Sequence, residues 1–265
     1  MVKLKIGLIG AGNMGQAIIQ GLIAEKSYEI WIYEKDESRA NLINRKYKLQ
    51  KKKLEQLTND SNIIIICVKP QIIDQVLGLI KNQLKPNQLL VSIAAGINTG
   101  HIEQQLAEKI PVIRVMPNMP ALIGQGISGF CLGKYARTMH VNQVIKIFSA
   151  VGKTLAIDES KMDLFTAVAG SGPGFIAYIT DCLIKAAVKA GLDKKSAKSL
   201  CIKTLQGTIN LIDQTGIEPK ELAKKVASKG GTTEAGLKVL KAKQTAAIIE
   251  QTIKAAAKRA KELSR

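Results

Sequence analysis

The stretch Lys3-Leu4-Lys5-Ile6-Gly7-Leu8-Ile9-Gly10-Ala11-Gly12-Asn13-Met14-Gly15 decides the fold. Residues 3–10 read as a strand. Gly10, Gly12 and Gly15 then supply G-x-G-x-x-G where a helix over 13–25 opens, with Met14, Ala17, Ile18 and Leu22 on its apolar face. Within a βαβ unit this pattern binds a dinucleotide. The first glycine makes the tight turn, the second lets the backbone approach the pyrophosphate, and the third lets helix and strand pack closely. Free N–H groups at the helix start hold the phosphate. Ile9, Gly10, Ala11, Gly12, Asn13 and Met14 are therefore expected to line the cofactor.

Working outward, "EIWIY" (29–33) reads as a second strand, followed by helices over 37–47 and 53–58. "NIIIICV" (62–68) is a continuous apolar run, as expected of a central parallel strand covered on both faces. Helix 71–83, strand "LLVSIA" (89–94) and helix 99–108 follow, then strands 111–116 and 126–133, helix 138–150 and strand 153–157. Such alternation predicts a mostly parallel, doubly wound sheet. From about 160 the chain shows no strand pattern and is rich in Ala, Lys and Leu at helical spacing. Helices are expected over 161–169, 173–190, 194–213, 218–226 and 232–263, the last interrupted near 242. The fold class is thus an α/β Rossmann domain over 1–158 followed by an all-α domain over 159–265.

Several positions beyond the glycines fall where ligands bind, outside the carboxyl ends of strands. Glu34 ends the second strand, where a carboxylate accepts from the adenosine ribose and repels a 2′-phosphate, but Lys35 and Arg39 beside it counter that effect. NADH and NADPH both stay open. Val68-Lys69-Pro70 and Ala94-Ala95-Gly96 follow two central strands and are placed to line the cofactor's ribose and nicotinamide. Ser228-Lys229-Gly230-Gly231-Thr232-Thr233 opens the helix containing Glu234. It fits a receptor for a carboxylate or phosphate and fits equally a plain N-cap with Thr at the cap position. Ala169-Gly170-Ser171-Gly172-Pro173-Gly174 interrupts the helical region with a bend, suited to a helix contact or to a planar ring.

Composition narrows the classes. The 265 residues are 46% apolar but only 4% aromatic, so the core must be aliphatic. The apolar runs noted above are shorter than the ~18 residues that suggest a membrane span. Met1-Val2-Lys3-Leu4-Lys5 runs straight into a strand pattern, from which no targeting segment is expected. Cys67, Cys131, Cys182 and Cys201 are scattered without a CxxC pair, as for reduced thiols in a cytoplasmic protein. With His101 and His140 the only histidines, no metal site is expected and a histidine triad is hard to build. The net charge of +18 invites a nucleic-acid reading, yet the lysines come in short runs without interleaved aromatics, so no nucleic-acid partner is expected.

Taken in order, "IGLIGAGNMGQAI", "CVKPQ", "SIAAGI", "RVMPNMPALIGQG", "AGSGPGFIAY" and "GGTTEAGLKVL" resemble the pyrroline-5-carboxylate reductase family along nearly the whole chain. The resemblance implies reduction of the small metabolite 1-pyrroline-5-carboxylate to proline with NADPH or NADH. It implies that Gly231, Thr232 and Thr233, with Ser228 nearby, hold the substrate carboxylate, Thr233 being the side chain closest to the chemistry. Met116, Pro117, Asn118, Ser171, Gly172 and Pro173 would approach the nicotinamide end. Helical domains would interlock as homodimers, which assemble further into rings in some members. Departures from the family pattern are Lys229 for Pro, Met119 for Thr, Gly174-Phe175 for Ala-Tyr and Leu54 for Asn. A β-hydroxyacid dehydrogenase would need a catalytic lysine soon after the Gly-rich segment, and Lys185 and Lys189 lie too far beyond it. A non-enzymatic dinucleotide sensor or nucleic-acid-associated protein rests on charge alone.

Overall fold

In the computed structural model, which describes residues 3–264, strand and helix alternate through the first half. The outermost ends of both expected domains, residues 1, 2 and 265, lie outside the described residues. The series runs β1 (Leu4–Ile9), α1 (Asn13–Glu25), β2 (Tyr28–Tyr33), α2 (Glu37–Tyr47), β3 (Gln50–Lys51), α3 (Leu54–Asp60) and β4 (Ile63–Ile66). It continues with α4 (Ile73–Ile80), β5 (Leu89–Ser92), α5 (Thr99–Gln105), β6 (Val112–Met116), β7 (Gly126–Leu132), α6 (Thr138–Ser149) and β8 (Gly152–Ala156). Helices follow: α7 (Met162–Phe165), α8 (Gly172–Lys189), α9 (Lys194–Thr215), α10 (Pro219–Val226), α11 (Thr232–Ala242) and α12 (Thr245–Leu263).

The strands form one sheet in the order β3-β2-β1-β4-β5-β6-β7-β8. Every pairing is parallel except β6 with β7, where Arg114 lies opposite Cys131. Only residues 117–125 join those two strands, too few for the crossover of a dozen or more residues that a parallel pairing needs. A 3-10 turn over Met119–Ile123 therefore sends the chain back beside itself, whereas α6 gives β8 a crossover and a parallel partner. The two-residue β3 has no apolar run and was not anticipated.

Alternate residues of each strand feed opposite faces. Ile63 and Ile65 join Ile6, Leu8, Ile18, Leu22, Val144 and Phe148, while Ile64 and Ile66 join Leu57, Ile73, Leu77 and Ile102. At ~25 cal/mol per Å2 of apolar area, such two-sided burial is the main force fixing the layer order.

By compactness the chain divides later than its sheet does. One unit holds everything up to Ser171 together with Ala256 onward, and the other is Gly172–Ala255. The segment after the expected boundary at 158/159 belongs with the first unit for two reasons. Met162 and Phe165 pack on Cys131, and Glu159 and Asp163 face the buried Arg114 at 3.6 and 4.0 Å. Nor does the Gly-rich segment end the helix there. A π-turn over Thr166–Gly170, with Ser171 N donating to Thr166 O at 2.9 Å, widens the helix ahead of Pro173. One consequence is that Glu159–Lys189, which holds an 18-residue window of mean hydropathy 1.3, is long and apolar enough to cross a membrane by length and composition. The interruption expected near 242 is the Lys243-Gln244 step, where Gln244 takes φ +53°.

The second unit has almost no interior of its own. Among its described residues only Ala197 and Cys201 are buried, while Ile176, Tyr178, Leu200, Ile209 and Val239 are more than half exposed.

Phe148 on α6 is fully buried between that helix and the sheet. Phe148→Ala is expected to cost ~3–5 kcal/mol, read as a lower denaturation midpoint for the first unit, and an unchanged midpoint would contradict this packing.

Candidate functional site

The turn from β1 into α1 is built as its glycines require. Gly10 takes φ +91°, and a Cβ there would lie 3.0 Å from the carbonyl oxygen of Cys67. Gly10 N donates to Tyr33 O and Cys67 N donates to Ile9 O, both at 2.8 Å, which fixes the turn against its neighbouring strands. No side chain caps α1, its first turn carries no acidic residue, and the space a Gly12 side chain would take is open. The helix start is thus left to an anion from outside.

A cavity of about 370 Å3 opens there. Ile9, Gly10, Ala11, Gly12, Glu34, Lys35, Val68 and Lys69 line it, together with Tyr33, Arg39, Leu54, Cys67, Ile72, Gln75, Val76 and Leu79. Asn13 and Met14 are not part of its wall, Met14 packing instead on the core beneath α1. The buried Glu34 carboxylate accepts from Ala11 N at 2.9 Å and Asp36 N at 3.1 Å, with Arg39 Nη1 at 3.5 Å. It therefore braces the glycine turn besides presenting charge to the cavity. Desolvation pushes the Cys67 thiol up, so this sulfur is neutral and not a nucleophile.

A second cavity, about 430 Å3, is lined by Pro70, Gln71, Ala95, Gly96, Asp163, Thr166, Ala260 and Leu263. Ala94 is buried in the core and does not line it. Gly96 takes φ +74°, and a Cβ there would meet Leu263 O at 2.8 Å, so only glycine lets the end of α12 approach. Met116, Pro117 and Asn118 line neither cavity. Asn118 is a brace: its Nδ2 donates to Ala169 O at 3.1 Å and its Oδ1 accepts from Ile127 N at 2.9 Å. Met116 Cε lies 3.0 Å from where a Gly170 Cβ would stand, so β6 and the π-turn touch through the absence of a side chain. Ser171 closes that π-turn in the first unit, whereas Gly172 and Pro173 begin α8 in the second.

Ser228, Gly231, Thr232 and Thr233 also belong to the second unit. The cap of α11 is Gly231 and not a threonine, and no side chain caps the helix. This corrects the N-cap alternative, because Thr232 and Thr233 already lie inside the first turn. Gly230, at φ +73°, donates its N–H to Glu234 Oε2 at 2.6 Å, and Gly231 N donates to Ser228 O at 3.0 Å. The turn holds itself in shape while leaving the first-turn amides of α11 free of side-chain caps.

Sequence reading missed the α4 wall of the first cavity. Ile72, Gln75, Val76 and Leu79 repeat at i, i+3, i+4 and i+7, a pattern that reads as core, yet Ile72 and Leu79 are 44% and 55% exposed. Asp163, Thr166, Ala260 and Leu263 were missed because contacts across nearly a hundred residues leave no local signal. Both histidines stand outside the two cavities. His101 Nε2 lies 2.7 Å from Asp74 Oδ1, and His140 Nδ1 accepts from Arg137 N at 3.0 Å. Lys185, exposed on α8, is ion-paired to Asp181 at 2.7 Å. Among the described residues, no group of three or more His, Cys, Asp or Glu is arranged to hold a metal.

Residues 159–263 match the family described as "Pyrroline-5-carboxylate reductase dimerisation", and residues 5–96 match "NADP oxidoreductase coenzyme F420-dependent". The chain is 34% identical to pyrroline-5-carboxylate reductase 1 of Bacillus subtilis, covering 98% of this chain and 89% of that protein. The solved structure of a pyrroline-5-carboxylate reductase from Coxiella burnetii superposes with a TM-score of 0.93 at 29% identity, over 100% of both chains. That of Plasmodium falciparum pyrroline carboxylate reductase with NADP bound gives 0.88 at 29% identity, again over 100% of both. A GxGxxG turn opening onto a cavity, a helical region with little interior and a full-length likeness at this identity lead to one conclusion: the chain belongs to the pyrroline-5-carboxylate reductase family.

Proposed function

We propose that this protein reduces 1-pyrroline-5-carboxylate to L-proline with NADPH or NADH, the last step of proline biosynthesis. The observation that carries this reading is the 34% identity to a reductase of that name across 98% of the chain. The dinucleotide fits the first cavity, its pyrophosphate on the uncapped start of α1 at Gly10, Ala11, Gly12, Asn13 and Met14 and its adenosine ribose beside Glu34 and Lys35. Val68, Lys69 and Pro70 follow its ribose, and Ala95 and Gly96, backed by the buried Ala94, are assigned to the nicotinamide end together with the loop Met116, Pro117, Asn118 and the segment Ser171, Gly172, Pro173. When bound, the cofactor supplies hydride to the imine carbon.

The protein's share is then to bind and orient. The amides of Gly231, Thr232 and Thr233, helped by Ser228, grip the substrate carboxylate, and Thr233 Oγ1 lies nearest the ring. A cyclic imine already protonated on nitrogen needs no general acid from the protein, which suits cavities that neither histidine lines. Holding the two reactants in register can remove ~7–11 kcal/mol of the barrier.

A homodimer formed through the helical unit, and rings of such dimers, accounts for the apolar side chains that α8, α9, α11 and α12 leave exposed, including the Glu159–Lys189 stretch. We assign that stretch to a protein interface and not to lipid. The four unpaired cysteines suit a cytoplasmic location, and the lysine runs, lacking aromatic neighbours, favour no nucleic acid.

Oxidation of NADPH or NADH, followed at 340 nm with 1-pyrroline-5-carboxylate, is expected to proceed; a folded, cofactor-binding protein without turnover would refute the assignment. Thr233→Ala should raise KM for the imine more than it lowers kcat, and an unchanged KM would displace Thr233 from the site. Glu34→Ala should lower the NADH-to-NADPH ratio of kcat/KM about tenfold, since one charge contact is worth ~1.4 kcal/mol or more. Sedimentation at micromolar protein should find dimers or larger species, and a stable monomer would leave the exposed apolar helices unexplained.

A further inference from the structure

Behind the two loops assigned to the nicotinamide lies a cluster of charged and polar groups that the proposed mechanism does not use. Arg114, on β6 two residues before Met116, is 3% exposed and has no acidic neighbour in its own strand. Its Nη1 lies 3.6 Å from Glu159 Oε1 and its Nη2 lies 4.0 Å from Asp163 Oδ1. Nη2 makes no hydrogen bond among the described residues, so the two carboxylates face the guanidinium as ion-pair partners without a hydrogen bond to that nitrogen. Glu159 does more than neutralise. Its Oε1 accepts from Thr99 N at 2.8 Å and its Oε2 accepts from Thr99 Oγ1 at 2.6 Å. Thr99 opens α5, three residues beyond Gly96. Cys131 lies opposite Arg114 in register, and burial together with the nearby Glu159 carboxylate pushes its thiol up to about 12. Asp163 Oδ1 accepts from Ser264 Oγ at 2.6 Å, which brings the end of α12 against the same cluster.

One carboxylate thus joins the element that follows Ala94-Ala95-Gly96 to the strand that delivers Met116-Pro117-Asn118. We propose that Glu159 is a positioning residue for hydride transfer, holding these two loops at a fixed separation so that the nicotinamide ring meets the imine at the reacting distance. The proposal rests on the assignment of both loops to the nicotinamide. It predicts a specific division of labour: the ADP half of the cofactor binds in the other cavity, lined by none of these residues, so loosening the clamp should disturb chemistry and not affinity.

The test uses the full-length protein and the variants Glu159→Gln, Thr99→Val and Ala95→Val. Glu159→Gln replaces an acceptor with a donor facing Thr99 and Arg114. It should lower kcat about 10- to 100-fold, the scale of a sub-ångström to 1 Å misplacement, with the dissociation constant for the cofactor little changed. The isotope effect on kcat with cofactor deuterated at the transferred position should rise, because hydride transfer becomes slower relative to other steps. Loss of folded enzyme alone would leave that isotope effect where it was. In the cofactor-free protein, hydrogen exchange should quicken together in peptides covering 94–101 and 116–119. Thr99→Val removes only the hydroxyl contact and should act in the same direction more weakly, which keeps the test available if Glu159→Gln fails to fold.

Ala95→Val adds bulk to the exposed loop itself and tests the assignment beneath the proposal. If Ala95→Val impairs turnover while Glu159→Gln and Thr99→Val leave kcat, isotope effect and loop exchange unchanged, the clamp is refuted and the loop assignment stands. If none of the three variants changes turnover, both fall together.

Discussion

A strand of four isoleucines must be covered on both faces, and most of what this molecule does follows from that constraint. β4 is buried throughout, with alternate residues feeding two separate clusters. Helices on both sides are the only cover the chain offers, and parallel neighbours joined by crossovers are the only way to supply them. Where the strand order passes from β1 to β4, the chain departs in opposite directions along the sheet, leaving a crevice at the carboxyl ends of the strands. The glycine turn, the uncapped start of α1 and Glu34 all meet that crevice because of where the sheet puts them.

Legibility in the sequence followed the range of the interactions involved. The strands with continuous or alternating apolar runs, the helices between them and the glycine turn are local, and each is readable within about ten residues. The reversal at β7 is legible in principle, since the connection from β6 is too short for a crossover. β3 has no apolar residue to announce it and is held by two pairings to β2. The segment 169–174 has the composition of a helix breaker, and what it does instead is widen the helix into a π-turn. Asn118, expected at the nicotinamide, also donates to Ala169 O and accepts from Ile127 N, a tie between β7 and the π-turn that has no local sequence signal. The long-range contacts of Arg114, Glu159, Asp163 and Ser264 have no periodicity at all. Buried charge on a strand was the one available cue, and Arg114 stands in "PVIRVM", a run otherwise apolar but for proline.

The second unit reads differently because its periodicity is real but its partner is missing from the chain. Amphipathic spacing in α8, α9, α11 and α12 implies apolar stripes, and those stripes remain largely exposed. Soluble monomers rarely carry contiguous apolar surface on that scale. The segment matched over 159–263 by the family described as a dimerisation region spans the same helices, so the exposed stripes and the family description both point to a region that takes part in oligomerisation.

That arrangement bears on how such an enzyme reaches its rate. Neither histidine is among the residues lining the two cavities, so positioning carries much of the burden in the proposed reaction, and positioning is only as good as the elements that set it. The groups proposed to anchor the cofactor are backbone amides of a glycine turn, and those proposed for the substrate carboxylate are likewise backbone at the start of α11. Neither has much conformational freedom once its helix is packed. The loops 94–96 and 116–118 are less constrained by the sheet, since each leaves the end of a strand. They are held instead by Glu159 on Thr99, by Arg114 between two carboxylates and by Leu263 against Gly96. Polar contacts to a buried cation are directional and lose much when one partner is removed, whereas apolar packing can rearrange. On the proposed reading, charged groups away from the substrate would set the rate in this fold while contributing little to its affinity.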